Sequence, residues 1–254
     1  GDFTVGAPGL TTVAPGASTT FSVTFSPTAS GFRSAAIHIA NNDSDENPFD
    51  IAFTGTDGST PFEWARRVAS TVNPDTELSI GLALDGVGNA YVTGWFDGTN
   101  NFGGITLTNK SGGGQDVFVA KYDPAGSLQW ARRAGGNSTD RDGGRGIGVD
   151  TAGNVYVTGE FFGTADFDGF NLSAPANKEL FLVKYDNAGV VQWARQSTGG
   201  ISSGVYGTGL AVDFAGNSYA VGYADNGATI TFGTINLLRN DTGYSAFLVK
   251  YDNA

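Results

Sequence analysis

Short runs of alternating apolar and polar residues recur along this chain. Ile80-Gly81-Leu82-Ala83-Leu84, Tyr91-Val92-Thr93, Val117-Phe118-Val119-Ala120 and Leu128-Gln129-Trp130-Ala131 carry a period of two and are rich in β-branched and aromatic side chains. That pattern predicts half-buried strands. Nearer the N-terminus, Thr20-Phe21-Ser22-Val23-Thr24-Phe25, Ala35-Ala36-Ile37-His38-Ile39 and the run from Phe49 to Phe53 read the same way. The expected fold class is all-β.

From residue 61 onward the pattern repeats. Trp-Ala-Arg begins at Trp64, Trp130 and Trp193; Gly-Asn-x-Tyr begins at Gly88, Gly153 and Gly216; Lys-Tyr-Asp begins at Lys121, Lys184 and Lys250. The tryptophan spacings are 66 and 63 residues and the lysine spacings 63 and 66, so the three motifs stay in phase. Each repeat holds four short strands, the content of one propeller blade. The repeats are placed at 61–126, 127–189 and 190–254, after a separate region 1–58.

The turns have a local cause. Asp85, Asp150 and Asp213 each open a D-x-x-G-N segment, in which the carboxylate caps backbone N–H groups and glycine takes a left-handed conformation. Asp123 and Asp186 repeat the device one hairpin later. Turn capping accounts for these aspartates without calcium. Trp64, Trp130 and Trp193 are expected to pack between adjacent blades, where an aromatic ring buries a large area.

These residues resemble the bacterial β-propeller repeat family known as SBBP. The likeness is carried by Gly-Asn-Val-Tyr-Val-Thr-Gly at 153–159, Phe-Leu-Val-Lys-Tyr-Asp at 181–186 and the Trp-Ala-Arg strand. It implies a propeller fold and a secreted or cell-surface setting in a bacterium, without one fixed chemistry. Residues 1–58 resemble part of an immunoglobulin-like domain of choice-of-anchor-D or abnormal-spindle/hydin type. The likeness rests on Phe21 to Pro27, Asn42 to Pro48 and Phe53-Thr54-Gly55-Thr56. Such domains are spacers. A complete sandwich needs about seven strands, and only some four are placed here. Three blades also fall short of a ring, so the expected partners are other copies of the chain or the rest of a longer one.

Composition narrows the function. The formal charge of −11 repels phosphate backbones and excludes nucleic acid as a partner. With no cysteine there is no disulfide framework and no thiol chemistry, and no apolar run reaches membrane-spanning length. The single histidine, His38, lies in an alternating strand, so neither a hydrolytic triad nor a zinc site is expected. Asp166 with Asp168 and Asp140 with Asp142 are weighed as glycosidase carboxylates and read as loop residues. Asp43, Asp45 and Glu46 concentrate hard oxygen ligands in one loop, the candidate calcium site. No other cofactor is expected.

The repeats differ most at 95–115, 160–178 and 223–243, between the second and third strands. Their aromatic and acidic residues, Trp95, Phe96, Asp97, Phe161, Phe162, Tyr223 and Asp225, are the candidate ligand surface, with surface glycans as ligand. One position there stays in phase, at Phe102, Phe167 and Phe232, and is read as packing. The expectation is a non-enzymatic, extracellular structural or adhesive repeat protein that self-assembles through incomplete β domains. The alternative is a carbohydrate-binding propeller module.

Overall fold

A computed structural model describes residues 1–14, 16–29, 31–40, 49–56, 64–67, 69–70, 78–110, 114–136, 139–199, 204–225, 229–238 and 243–253. The chain is all-β and divides into two compact units, Gly1–Glu63 and Trp64–Ala254.

The first unit holds two antiparallel pairs. β1 (Phe3–Val5) pairs with β2 (Val23–Phe25), and β3 (Phe32–Ile39) pairs with β4 (Phe49–Thr56) along their whole length. Exposure alternates along β3, as period two demands. Phe3 rests on Phe25 at 4.8 Å, and Arg33 Nε reaches Asp2 at 2.9 Å. Among the described residues of this unit none is fully buried. Two-stranded ribbons of this kind are marginal without another layer to cover them.

The second unit carries the repeats. Its strands are β5 (Ala69–Ser70), β6 (Leu78–Leu84), β7 (Ala90–Phe96), β8 (Thr99–Asn101), β9 (Thr106–Thr108), β10 (Asp116–Tyr122) and β11 (Leu128–Ala134). Then follow β12 (Gly143–Val149), β13 (Val155–Phe167), β14 (Phe170–Tyr185) and β15 (Val191–Gly199). The last five are β16 (Val205–Val212), β17 (Ser218–Asp225), β18 (Ile230–Phe232), β19 (Ile235–Leu237) and β20 (Tyr244–Tyr251).

Three antiparallel meanders result. Blade I is β6-β7-β10-β11, blade II is β12-β13-β14-β15, and blade III is β16-β17-β20. The sheets are thus offset by one strand from the sequence repeats, because the Trp-Ala-Arg strand closes the sheet before it. The expected four strands are found in blades I and II, while blade III has three among the described residues. In each blade the connection between the second and third strands folds into a hairpin: β8 with β9, the β13–β14 tip, and β18 with β19.

Blades stack face to face. One core lies between blades I and II, joining Tyr91, Val117, Val119 and Trp130 to Val157, Phe161, Phe181, Val183 and Tyr185. A second joins Leu180 and Leu182 of blade II to Ala220, Phe247 and Val249 of blade III. The in-phase phenylalanines Phe102, Phe167 and Phe232 close each blade's own hairpin onto Phe118, Phe181 and Phe247, at 5.0, 5.0 and 5.2 Å. Neighbouring first strands approach so closely that glycine is required. A Cβ on Gly146 would lie 2.7 Å from the backbone N of Leu210, and one on Gly81 would lie 2.8 Å from the carbonyl O of Arg145.

Candidate functional site: the inter-blade clasp and the loop end

The turn between the first two strands of each blade is one network built three times. Asp150 Oδ1 accepts the backbone N–H groups of Ala152 and Asn154, both at 2.9 Å. Its Oδ2 accepts Asn154 Nδ2 at 2.8 Å and the Tyr156 hydroxyl at 3.2 Å. Asp85 does the same for Val87, Asn89 and Tyr91, and Asp213 for Ala215, Asn217 and Tyr219. Gly88, Gly153 and Gly216 sit at φ of 89°, 81° and 79°, which glycine adopts without penalty. Burial works to raise the Asp85 carboxyl, but the Asn89 and Tyr91 bonds outweigh it and hold it below the usual range. At Asp213 the Asn217 amide is the main cause of the same depression.

The tyrosine of that network holds a lysine. Lys121, Lys184 and Lys250 lie over Tyr91, Tyr156 and Tyr219 at 5.2, 5.3 and 5.2 Å from the ring centre. Two of these lysines then cross to the next blade. Lys121 Nζ donates to Asn187 Oδ1, and Lys184 Nζ to Asn253 Oδ1 at 2.5 Å.

Trp-Ala-Arg completes the clasp. Trp130 packs 6.3 Å from both Tyr91 of its own blade and Tyr185 of the next. Its indole N–H donates to the carbonyl of Asn187 at 3.0 Å, while Arg132 donates to the carbonyls of Gly189 and Ala188 at 2.8 and 3.1 Å. The strand then reaches the next blade's hairpin through the Gly135–Asp166 bridge. Residues 64–67 and 69–70 make similar contacts on blade I. Trp64 packs on Tyr122 at 6.5 Å and donates to Pro124 O at 3.0 Å, Arg66 donates to Gly126 O at 2.6 Å, and Ala69 pairs with Asn101. On blade III the strand tail pairs likewise, Thr198 with Thr231, but the buried Trp193 indole nitrogen has no acceptor among the described residues.

In an up-and-down blade, the second-to-third strand connection and the link to the next blade emerge at the same end. The candidate ligand residues cluster there, with different fates. Trp95 is 8 % exposed, under the Arg141 guanidinium at 4.2 Å from its ring and with Arg145 at 5.8 Å. Phe96 and Phe161 are fully buried and carry packing rather than a ligand surface. One face of their strand meets the neighbouring blade and the other meets its own hairpin, so alternation leaves neither face to solvent. Phe162 is half-buried and donates its N–H to Asp142 Oδ1 at 3.0 Å. Asp97 Oδ1 is held inside its loop by Gly98 N and Asn109 Nδ2, and Asp225 Oδ1 by Gly204 N. Tyr223 stacks on Tyr206 at 4.8 Å and meets the edge of Tyr244, itself 76 % exposed, at 5.5 Å.

The same end holds buried charges, of which the sequence reading passed over Glu160, Arg145 and Asp116 and took Asp142 for a loop residue. Glu160 is fully buried and takes a two-pronged bond from Arg145, at 2.5 and 2.7 Å, which raises the basicity of the guanidinium. Their signal was present: Glu160 stands where the other repeats have Trp95 and Tyr223. Asp116 accepts Lys110 N and Arg133 Nη1, and burial pushes its carboxyl up. Asp142 accepts the N–H groups of Phe162 and Gly136, and burial pushes it up to about 7.

The remaining candidates are accounted for by their neighbours. Asp166 is bound by Gly169 N at 2.7 Å and Lys110 at 2.9 Å, which lower its carboxyl, while Asp168 is exposed at a positive φ of 49°. Asp140 lies 3.3 Å from Lys178, and His38 lies 2.6 Å from Asp50 on the surface. Asp43, Asp45 and Glu46 fall outside the described residues. Among the described residues no three His, Cys, Asp or Glu side chains converge as a metal site would require, and no helix is long and apolar enough to cross a membrane.

Fold and clasp together define a β-propeller repeat protein. Residues 129–160 and 192–227 match the family model of the SBBP β-propeller repeat. Each matched stretch opens on the Trp-Ala-Arg strand and runs past the Asp-Gly-Asn turn, so it straddles two sheets. In an alignment 195 positions long that covers 67% of the chain, it is 28% identical to an uncharacterized WD repeat-containing protein of Acanthamoeba polyphaga mimivirus, and it spans 13% of that relative.

Proposed function

We propose that this is a non-catalytic structural repeat protein of a cell exterior, whose blades form a scaffold and whose first unit is an immunoglobulin-like spacer. One observation carries the reading. The recurring Asp, Asn and Tyr side chains bond within turns, and Lys121, Lys184 and Arg132 bond to the adjacent blade, an arrangement that serves cohesion. High negative charge and the absence of cysteine suit an exposed, adhesive protein outside the cell. The test pairs stability with turnover. Trp130→Ala is expected to lower the thermal midpoint steeply, while the full chain shows no glycoside hydrolysis. Turnover that disappears in Asp166→Asn contradicts the reading.

The exposed Tyr244 beside the Tyr206–Tyr223 stack favours a second reading, a glycan contact at the loop end. A glycan array with no signal above a Tyr244→Ala control removes it.

A further inference from the structure

Both blade junctions bring an amine against a carboxamide. Lys121 Nζ of blade I donates to Asn187 Oδ1 of blade II, and Lys184 Nζ of blade II donates to Oδ1 of Asn253, just past β20 of blade III, at 2.5 Å. Each asparagine is held from behind. A Cβ on Gly153 would lie 3.1 Å from Asn187 Cγ, and one on Gly216 would lie 2.8 Å from Asn253 Cγ, so each carboxamide rests on the glycine of an Asp-Gly-Asn turn. Asn253 Nδ2 is tied further to the carbonyl of Ala215 at 3.1 Å. Each lysine is held from the front, over the ring of Tyr91 or Tyr156. Lys121 is only 8 % exposed, and Asn187 and Lys121 line one groove between the blades with Ile105, Gln129 and Trp130.

Cohesion alone would favour a different partner. A carboxylate at 187 and 253 would give each lysine a charge-assisted bond, the stronger kind. The chain has 25 acidic side chains, yet both stations hold the neutral amide. Among the described residues no carboxylate lies at ion-pair distance from either lysine. What asparagine offers instead is an electrophilic carbon, one bond length beyond the oxygen that the amine already touches.

We infer that Lys121 with Asn187, and Lys184 with Asn253, react to form isopeptide bonds that join successive blades covalently. Lysine Nζ attacks Cγ of the asparagine; the Nζ–Cγ bond forms and the Cγ–Nδ2 bond breaks. The departing nitrogen carries away two of the three ammonium protons and leaves as an ammonium ion, so charge balances and no oxidant or other reactant enters. Attack places negative charge on Oδ1. At the second junction the Tyr156 hydroxyl lies 3.0 Å from Asn253 Oδ1 and 3.2 Å from Asp150 Oδ2, and it can turn its proton to the amide oxygen as that charge develops. Pro124 stands where the other repeats have Asn187 and Asn253 and carries no amide, so the chemistry belongs to these two stations. Each bond forms once and is not turnover; the inference goes beyond the scaffold reading without depending on it.

The mass of the full chain, measured intact after denaturation, tests this directly. The wild type is expected below its sequence mass by two molecules of ammonia. Lys121→Arg and Lys184→Arg should each restore one, and the double variant both, with near-ultraviolet circular dichroism showing that the variants are folded. Fragmentation of the digested wild type is expected to find a branched peptide joining residues 121 and 187. Tyr156→Phe should slow the loss at the second junction and leave the first unchanged. A wild type at its full sequence mass overturns the proposal. A loss of ammonia that persists in the double variant also overturns it, because asparagine then closes on its own backbone as a succinimide. Loss of a single ammonia overturns the assignment at whichever junction has a lysine variant of unchanged mass. None of these masses bears on glycoside hydrolysis, so the scaffold reading fails or stands separately.

Discussion

At the scale of single residues, the polar groups divide into those whose role is local and those whose role depends on the assembled fold. Asp150 belongs to the first kind. Its four bonds fall within six residues of it in sequence, so the turn chemistry could be read from D-x-x-G-N alone. Asp150→Ala removes all four and is expected to cost about 2–3 kcal/mol, read by urea denaturation. Asp142 belongs to the second kind. No sequence motif marks its burial, because its partners Gly136, after β11 of blade I, and Phe162, in β13 of blade II, meet around it only when two blades stack. With the folded carboxyl at about 7 and the unfolded one at 3.8, the folded state holds the extra proton between those values. This contribution is therefore complete below pH 3.8 and is lost as pH rises through about 7. Asp142→Asn should flatten the slope of stability against pH between 4 and 7, as a thermal midpoint series would show. An unchanged slope assigns the pH dependence elsewhere.

At the scale of elements, the strands were legible because period two and Asp/Gly punctuation are local signals. Where to cut the repeat was not, since a period gives no phase. Only the ladders Lys121–Trp130 and Lys184–Trp193 show that the tryptophan strand ends a sheet rather than beginning one. The same limit explains Phe96 and Phe161. Variable composition marked their segments as loops, yet Phe96 ends β7 and Phe161 lies within β13, both fully buried. The inter-blade strand is also the mechanical element. Trp130→Ala removes a 6 %-exposed indole and its bond to Asn187, with an expected cost of about 3–5 kcal/mol. Trp64→Ala, acting on a half-covered ring, should cost distinctly less in the same denaturation series.

At the scale of the molecule, stability is distributed unevenly. The first unit has no fully buried residue among those described, whereas blades I and II share the largest core. Hydrogen exchange should therefore be fast in β1, β2 and β3 and slowest in β10, β13 and β14. The central claim is that the tryptophan strands β11 and β15 each belong to one blade and grip the next. Exchange mass spectrometry of Trp130→Ala tests this most directly. If the clasp joins blades I and II, protection falls in residues 116–134 and in residues 180–199 together. A loss confined to residues 128–134, with blade II as protected as in the wild type, contradicts it.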